Sequence, residues 1–215
     1  KARQGRCVLE IDDDLLDTEG LRQRGDVGDV GEVVKKVEYL ARNADAVTVS
    51  TPPLAERLVT LNDNVFVVPN CLDPELWRLN ERRTGSKRFG ERSSPIRIGY
   101  MGTPTHDQDL QLVVDAMRKL ELIYGNRIEI EVIGAFEGKT PLFGKRVGLP
   151  RRHDYPNFVR WLLQRVQWDI GIIPLADDKF NESKSYLKFL EYAALGLSIV
   201  VSRVPTYLAV AKHEV

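Results

Sequence analysis

The sequence has no net charge, because its 31 lysines and arginines balance its 31 aspartates and glutamates. A chain without an excess of either sign generates no overall field that would attract nucleic acid or an anionic membrane surface. The sequence therefore argues against a nucleic-acid-binding protein.

Cysteines and long hydrophobic runs are also scarce. Cys7 and Cys71 lie far apart and match no metal-binding or redox spacing. Both are therefore predicted to be small buried side chains in a reducing compartment. No apolar run reaches the length of a membrane span, and the first residues do not read as a signal peptide. These features predict a cytoplasmic globular protein.

Several common active-site motifs are missing. The sequence contains no GxxxxGK[ST] phosphate loop, no GxGxxG fingerprint, no nucleophile elbow around a serine and no HExxH motif. A P-loop ATPase and a dinucleotide-dependent dehydrogenase are therefore poor fits.

The sequence does contain an alternation of short apolar runs and amphipathic segments. Strands are predicted at 7–11, 46–49, 65–68, 96–101, 128–133 and 169–173. Helices are predicted at 30–43, 50–61, 107–124 and 157–166 and from about 205, with loops at 18–29 and 134–156. Thr51 is predicted to cap the helix at 50–61, with Pro52 and Pro53 in its first turn. Alternating strands and helices favour parallel pairing. We predict an α/β protein in which a doubly wound parallel sheet, complete or nearly so, occupies 95–215. It follows the partial end of another α/β domain (1–80) and a linker (81–94).

The stretch from Phe180 to Ser202 is the most informative part of the sequence. It reads as a loop, a nearly all-apolar helix, a glycine stop and a buried strand. Lys184, Lys188 and Glu191 are spaced i, i+4 and i+7, which places them on one helix face. Lys184 is predicted in the first turn, where the helix macrodipole disfavours a cation by about 0.3–1 kcal/mol. An anion beside Lys184 would explain this placement, so the stretch indicates a phosphate-bearing ligand.

Small polar residues surround the predicted start of this helix. Asn181, Ser183 and Ser185 supply hydrogen-bonding groups beside the charge of Lys184. The alternative is an exposed face with ordinary ion pairs, each worth a few tenths of a kcal/mol. Because the rest of the helix is apolar, as expected of a buried helix, we predict that the polar stripe faces a cleft.

The turn after the strand at 96–101 is a second candidate site. In open parallel sheets, ligands bind beyond the carboxyl ends of the strands. Gly102 allows the backbone to approach a ligand, and the start of the next helix offers N–H groups to an anion. His106 lies at this helix entrance. Glycine turns of this kind often bind nothing, and a lone histidine is more often a capping or surface residue.

Three consecutive aspartates, Asp12, Asp13 and Asp14, follow the first predicted strand. Carboxylates at this place suit a divalent cation, but we favour an acidic loop with a helix cap. A receiver-like signalling domain with Asp13 as phosphoacceptor is a further alternative, for which the sequence offers no fitting lysine and threonine.

The sequence resembles the retaining, nucleotide-sugar-dependent glycosyltransferases of family 4, often called group 1, nearly from end to end. The resembling segments are VLEIDDDL, ADAVTVSTPPLAERL, NVFVVPNCLD, IGYMGTPTHDQDL and, most specifically, WDIGIIPLADDKFNESKSYLKFLEYAALGLSIVVS. Within the family, the chain looks most like the transferases of bacterial polysaccharide biosynthesis. The resemblance implies the GT-B fold, in which the C-terminal Rossmann-like domain binds the donor.

The resemblance also implies roles for individual residues. Glu191 corresponds to the glutamate that hydrogen-bonds the donor ribose. Gly102 and Thr103 correspond to the turn that cradles the diphosphate, and Lys184 or Lys188 fits the basic residue that neutralises it. The family signature has a second glutamate eight positions before the last one, where this sequence has Ser183. Contacts to the transferred sugar are then expected from the positions around it, which are Asn181, Glu182 and Ser183.

A hexosyl- or other glycosyltransferase is the activity that the resemblance implies. A sugar would pass from a nucleoside-diphosphate sugar to an unidentified glycan or lipid-linked acceptor, with retention at the anomeric carbon. No cofactor and no obligatory metal are expected. Peripheral association with the inner face of a membrane is compatible with this activity, and the oligomeric state is open. Because the chain begins with Lys rather than Met, it is expected to be a fragment that binds donor but transfers poorly or not at all alone. The alternative is a non-catalytic nucleotide-sugar-binding module or partner subunit.

Overall fold

The computed structural model describes residues 5–24, 28–77, 95–103, 106–136, 140–152 and 154–211. The predicted linker at 81–94 lies outside these residues. By its internal contacts the chain divides into two units. The first comprises Lys1–Asn70, Asp177–Tyr186 and Arg203–Val215, and the second comprises Cys71–Ala176 and Leu187–Ser202. The domain limits drawn from the sequence stay a prediction.

The first unit contains a three-stranded parallel sheet. Its elements are β1 (Val8–Ile11), α1 (Thr18–Gln23), α2 (Val30–Asn43), β2 (Ala46–Val49), α3 (Pro52–Leu58), β3 (Val65–Val67), α7 (Lys179–Glu182) and α9 (Pro205–Leu208). The strand order is β1-β2-β3. The central strand buries Val47 and Val49 against Ala41 of α2 and Leu54 and Leu58 of α3.

Side-chain caps explain where two helices of this unit begin. The Asp29 carboxylate accepts the N–H groups of Gly31 and Glu32 before α2. The Thr51 hydroxyl accepts the N–H of Leu54, and prolines occupy the first turn of α3. This is the cap predicted from the sequence, and it satisfies an N–H group that has no partner within the helix.

The second unit contains a five-stranded parallel sheet covered by helices. Its elements are β4 (Ile96–Met101), α4 (Asp107–Gln111), α5 (Val114–Tyr124), β5 (Ile128–Ile133), β6 (Lys145–Val147), α6 (Tyr155–Arg165), β7 (Ile170–Ile173), α8 (Leu187–Ala194) and β8 (Ser198–Val201). The strand order is β6-β5-β4-β7-β8. The chain therefore winds outward from β4 in both directions, which is the doubly wound arrangement predicted from the sequence.

Two glycines face each other in the middle of this sheet. Gly99 of β4 pairs with Gly171 of β7. A Cβ at residue 99 would overlap the ring of Trp168, and one at residue 171 would overlap the ring of Tyr192. The two rings pack edge to face with their centroids 6.1 Å apart. The glycines thus let α8 and the segment before β7 lie directly on the sheet.

Five sequence-based expectations about the fold are wrong. The predicted loop at 134–156 contains β6 and the start of α6. The predicted loop at 18–29 contains α1. The predicted helix at 107–124 is divided into α4 and α5, because the carboxylates of Asp107 and Asp109 accept backbone N–H groups from distant loops and fix α4 separately. The strand after Gly196 is β8, an edge strand with partly exposed side chains. Cys7 and Cys71 are exposed rather than buried, since neither lies on a core-facing strand position.

No helix in the described part of the chain combines the length and the hydrophobicity that crossing a membrane requires.

Candidate functional site

The topology of the second unit singles out the carboxyl ends of β4 and β7. The strand order reverses between these two strands, since β4 continues to β5 on one side and lies against β7 on the other. Ligands of open α/β sheets bind in the crevice at such a reversal. The turn after β4 and helix α8, which follows β7 in this unit, carry five of the residues predicted from the sequence: Gly102, Thr103, His106, Lys188 and Glu191.

The turn after β4 is held close to the neighbouring strand. The N–H of Gly102 donates to the carbonyl of Ile133 at 3.0 Å. A Cβ at residue 102 would overlap the hydroxyl of Tyr100, so only glycine fits. The carbonyl of Thr103 accepts the N–H of His106 at 3.0 Å. These two hydrogen bonds fix the backbone of the turn, and the Tyr100 hydroxyl lies beside Gly102.

His106 is oriented by a buried carboxylate. Its Nδ1 lies 3.0 Å from Oδ2 of Asp109, whose other oxygen accepts the N–H of Ala176 at 2.9 Å. Asp109 is only 2% exposed. Helix α4 has only five residues. The N-terminus of so short a helix gives little support to the anion site that was expected there.

Helix α8 is tied to the end of β4. The hydroxyl of Tyr192 accepts the N–H of Met101 at 2.8 Å in the interior. One turn earlier, the ammonium of Lys188 lies 4.9 Å from the centroid of the Tyr100 ring. The hydroxyl end of Tyr100 lies beside Gly102. Lys188 and the glycine turn therefore contact the same aromatic side chain.

Glu191 is a buried acid in this helix. It is 8% exposed, and its Oε1 accepts the hydroxyl of Tyr155 at 3.1 Å. Burial raises the pKa of Glu191, while the Tyr155 hydrogen bond and the charge of Lys188 act to lower it. Burial, together with the Glu191 charge, raises the pKa of Tyr155 to about 12. The Tyr155 hydroxyl in turn accepts the indole N–H of Trp77 at 3.1 Å.

Sequence reasoning missed Tyr155 and Trp77. Tyr155 begins α6, two residues before the start that was predicted for this helix. Trp77 lies in a segment without a recognisable sequence pattern. The only signal was the type of side chain, an aromatic ring with a polar end.

The structure corrects the predicted position of Lys184. Helix α8 begins at Leu187, so Lys184 lies before it and not in its first turn. The physical reason is a separate short helix, α7, which Asp178 caps by accepting the N–H of Asn181 at 2.8 Å. The macrodipole argument for Lys184 is therefore wrong, and only Lys188 and Glu191 share the helix.

Lys184 belongs to the first unit, where it has its own anion. Its Nζ lies 3.2 Å from Oδ1 of Asp13. The same ammonium lies 5.1 Å from the ring centroid of Phe180, and the guanidinium of Arg24 lies 4.0 Å from that centroid. Phe180 thus holds two cations in place through cation–π contacts.

The other predicted residues of this segment also have partners in the first unit. Asn181 is 1% exposed and accepts a hydrogen bond from Arg24 at 2.6 Å. The carbonyl of Ser183, a residue 3% exposed, accepts the Thr51 hydroxyl at 2.7 Å. The Ser185 hydroxyl accepts from Asn70 at 2.8 Å. Glu182 is exposed.

The three aspartates after β1 diverge rather than converge. Besides the contact of Asp13 with Lys184, Asp12 accepts from Asn70 at 2.9 Å, and Asp14 lies 3.1 Å from Nε of Arg57. Burial raises the pKa of Asp14, and Arg57 opposes that rise. Within the described ranges, no group of three or more acidic, histidine or cysteine side chains is arranged to hold a metal ion.

Comparison with known proteins supports the fold. No protein-family model matches the sequence, and no curated protein matches it. Among solved structures, the chain is similar to a crystal structure of a point mutant of S. aureus TarM in complex with fondaparinux, α-GlcNAc-glycerol and UDP. The TM-score is 0.53 at 10% sequence identity, and the alignment covers 93% of this chain and 37% of that one. At this identity the similarity concerns the fold alone, and this chain spans little more than a third of that chain's length. TarM is a GT-B glycosyltransferase, so the predicted α/β fold of Rossmann-like parallel sheets, GT-B in type, is confirmed.

Proposed function

We propose that the second unit binds the nucleoside-diphosphate part of a sugar donor. The observation that carries the proposal is the pairing of a buried carboxylate, Glu191, with a cation, Lys188, on the helix that is bonded to the end of β4. This helix lies beside the strands β4 and β7, where the strand order reverses. The chain also has the fold of a glycosyltransferase. A ligand with hydroxyl groups for the acid and phosphates for the cation matches both side chains.

The phosphates are assigned to the turn after β4 and to Lys188. Gly102 has no Cβ between its backbone and a ligand, and Lys188 supplies a positive charge over the ring of Tyr100, whose hydroxyl lies beside Gly102. The start of α8 adds the positive end of a helix dipole. We also assign His106, which Asp109 holds next to Thr103, to the same group. Such preorganised charge stabilises a departing diphosphate.

The ribose is assigned to Glu191. An ionised carboxylate only accepts hydrogen bonds, and the two hydroxyls of a ribose each have a hydrogen to donate to it. Because burial disfavours the charged form, Glu191 gains from a ligand that donates to it. This gives the ribose contact a driving force.

The reaction that we propose is sugar transfer with retention, as in the family 4 transferases. The bond between the anomeric carbon and the diphosphate oxygen breaks, and the nucleoside diphosphate leaves with the electron pair. An acceptor hydroxyl oxygen bonds to the same face of the carbon, and its proton passes to the departing diphosphate. We assign no nucleophilic carboxylate and no obligatory metal. An acceptor in polysaccharide synthesis at the inner face of a membrane is part of the same proposal.

The predicted donor contacts at Asn181, Glu182, Ser183, Lys184 and Ser185 remain predictions. Four of these residues have partners in the first unit, and Ser183, which stands where the family has glutamate, is buried. Its burial favours the second candidate function, a module that binds nucleotide sugar without transferring it. The two functions share the nucleotide site and differ in turnover.

Calorimetry and a turnover assay test the proposal together. The chain is titrated with UDP, ADP and GDP and with their common sugar conjugates, and Glu191→Gln is compared with Glu56→Gln, a control at an exposed position. We expect binding that Glu191→Gln weakens about tenfold or more and that Glu56→Gln leaves unchanged. Release of free sugar or a glycosylated product identifies a transferase, whereas binding without turnover identifies the module. Failure to bind any of these nucleotides would refute both.

A further inference from the structure

A chain of two hydrogen bonds ends at Glu191. The indole N–H of Trp77 donates to the hydroxyl of Tyr155 at 3.1 Å, and this hydroxyl lies 3.1 Å from Oε1 of Glu191. Trp77 and Glu191 are 4% and 8% exposed, while Tyr155 is 44% exposed. The hydroxyl of Tyr155 therefore lies between two buried groups.

The direction of both hydrogen bonds is fixed by chemistry. An indole nitrogen can only donate, and a phenol has a single hydrogen. Because the Tyr155 oxygen receives the hydrogen of Trp77, its own hydrogen is directed to Glu191. Reversing the chain would leave the Trp77 N–H without an acceptor in the interior, which is costly.

These two hydrogen bonds determine which atoms of Glu191 are left to contact a ligand. Its Oε1 is held by Tyr155, and its Oε2 accepts no hydrogen bond from any residue that the structure describes. Among the residues that the structure describes, the titratable groups that face the carboxylate are Tyr155 of α6 and Lys188 of its own helix. A held carboxylate with one uncommitted oxygen is an acceptor for neighbouring hydroxyls, and it cannot turn away to satisfy itself elsewhere.

We propose that Tyr155, held in turn by Trp77, is a positioning residue that presents Glu191 as a fixed acceptor to a ribose diol. The site then selects ribonucleoside diphosphates over their 2′-deoxy forms. This inference rests on the proposed nucleotide site and adds the residues that make it selective. A site built to accept a hydroxyl rejects an analogue that lacks it, because the buried acceptor is left unpaired.

The test compares ribose and deoxyribose ligands in matched variants. Dissociation constants are measured by calorimetry for the tightest-binding of UDP, ADP and GDP and for its 2′-deoxy form. We expect the wild-type chain to prefer the ribose form by about tenfold or more. Tyr155→Phe is expected to bring the ratio towards one, and Trp77→Phe to lower it partly. Tyr39→Phe, at an exposed position in the first unit, is expected to leave it unchanged. If Tyr155 had a purely structural role, Tyr155→Phe would weaken the binding of both ligands equally and leave the ratio of their dissociation constants unchanged.

A second measurement needs no ligand. The titration of Glu191 is followed by NMR of ¹³C-labelled glutamate, with Glu191→Gln to assign the signal. Since the Tyr155 hydrogen bond lowers the pKa of Glu191, Tyr155→Phe should move the midpoint to higher pH. An unchanged midpoint, or an unchanged selectivity ratio in Tyr155→Phe, would overturn the positioning role. A wild-type chain that binds no nucleotide would overturn the proposed function and the selectivity with it, while the titration would still decide whether Tyr155 controls the carboxylate.

Discussion

Two adjoining stretches of one sequence signature, 177–186 and 187–202, belong to different units of the molecule. In the first stretch, Asn181 and Ser183 are buried, and Lys184 has an anion from the same unit. In the second, Lys188 packs on an aromatic ring beside a glycine turn, and Glu191 keeps one oxygen uncommitted within the described structure. Side chains of the same kinds thus stabilise the fold in the first stretch, and they form the proposed nucleotide site in the second.

The difference shows that polarity on an apolar background does not by itself locate a site. The two stretches differ in what their buried polar groups contact. Arg24 and Asp178 satisfy Asn181 in the first stretch. The second stretch has a buried acid whose pKa is raised by desolvation, and such an acid is stabilised when a ligand donates to it. Three changes can break or sharpen this comparison.

The largest effect is expected from Arg24→Ala, which removes the main support of the first stretch. The Arg24 guanidinium lies 3.3 Å from Asp178, 2.6 Å from Asn181 and 4.0 Å from the Phe180 ring centroid. Because its removal takes away the cation that contacts both the buried Asn181 oxygen and the half-buried Asp178 carboxylate, unfolding in urea should show a loss of about 3 kcal/mol. Arg22→Ala, an exposed position on the same helix, is the control. Equal stability of the two variants would mean that the stretch is not held by Arg24.

A smaller effect is expected when the two lysines of the signature are compared. Lys188→Met should weaken binding of nucleoside diphosphate about tenfold, since it removes a charge from the proposed phosphate site. Lys184→Met should change binding by less than about twofold, because Lys184 pairs with Asp13. Calorimetry on both variants measures the difference directly. The opposite order would place the phosphates beside Lys184 and reverse the roles of the two stretches.

The smallest effect is expected in the pH dependence of stability. The pKa of Glu191 in the folded protein is raised above its ordinary value of 4.5. Between pH 4.5 and the pKa of the folded state, the folded state therefore binds more protons than the unfolded state. The free energy of unfolding therefore falls as the pH rises through this window, by at most about 1.4 kcal/mol per pH unit. Glu191→Gln does not titrate, so its stability relative to wild type should increase over the window and then level off. Urea unfolding from pH 4 to about pH 8 tests this, and a difference that is constant with pH would contradict it.

Much of the fold was predictable from the sequence. The strands β4 and β5 and the Thr51 cap follow from local periodicity and capping chemistry, which need no distant partner. The start of α8 was not predictable, because Asp178 caps a separate short helix, α7, before it. Tyr155 and Trp77 were not predictable as neighbours of Glu191, since Tyr155 lies 36 residues from Glu191 and 78 residues from Trp77 along the chain. Local rules identified the turn at Gly102 and the acid Glu191, while tertiary structure determined which polar side chains are already occupied.

Amide hydrogen exchange of the chain with and without the tightest-binding nucleoside diphosphate tests the central claim most directly. If the second unit holds the nucleotide, the ligand should slow exchange in the turn at 101–103 and in α8, and Glu191→Gln should reduce that protection. Protection confined to 177–186, or protection that is the same in wild type and Glu191→Gln, would contradict the account.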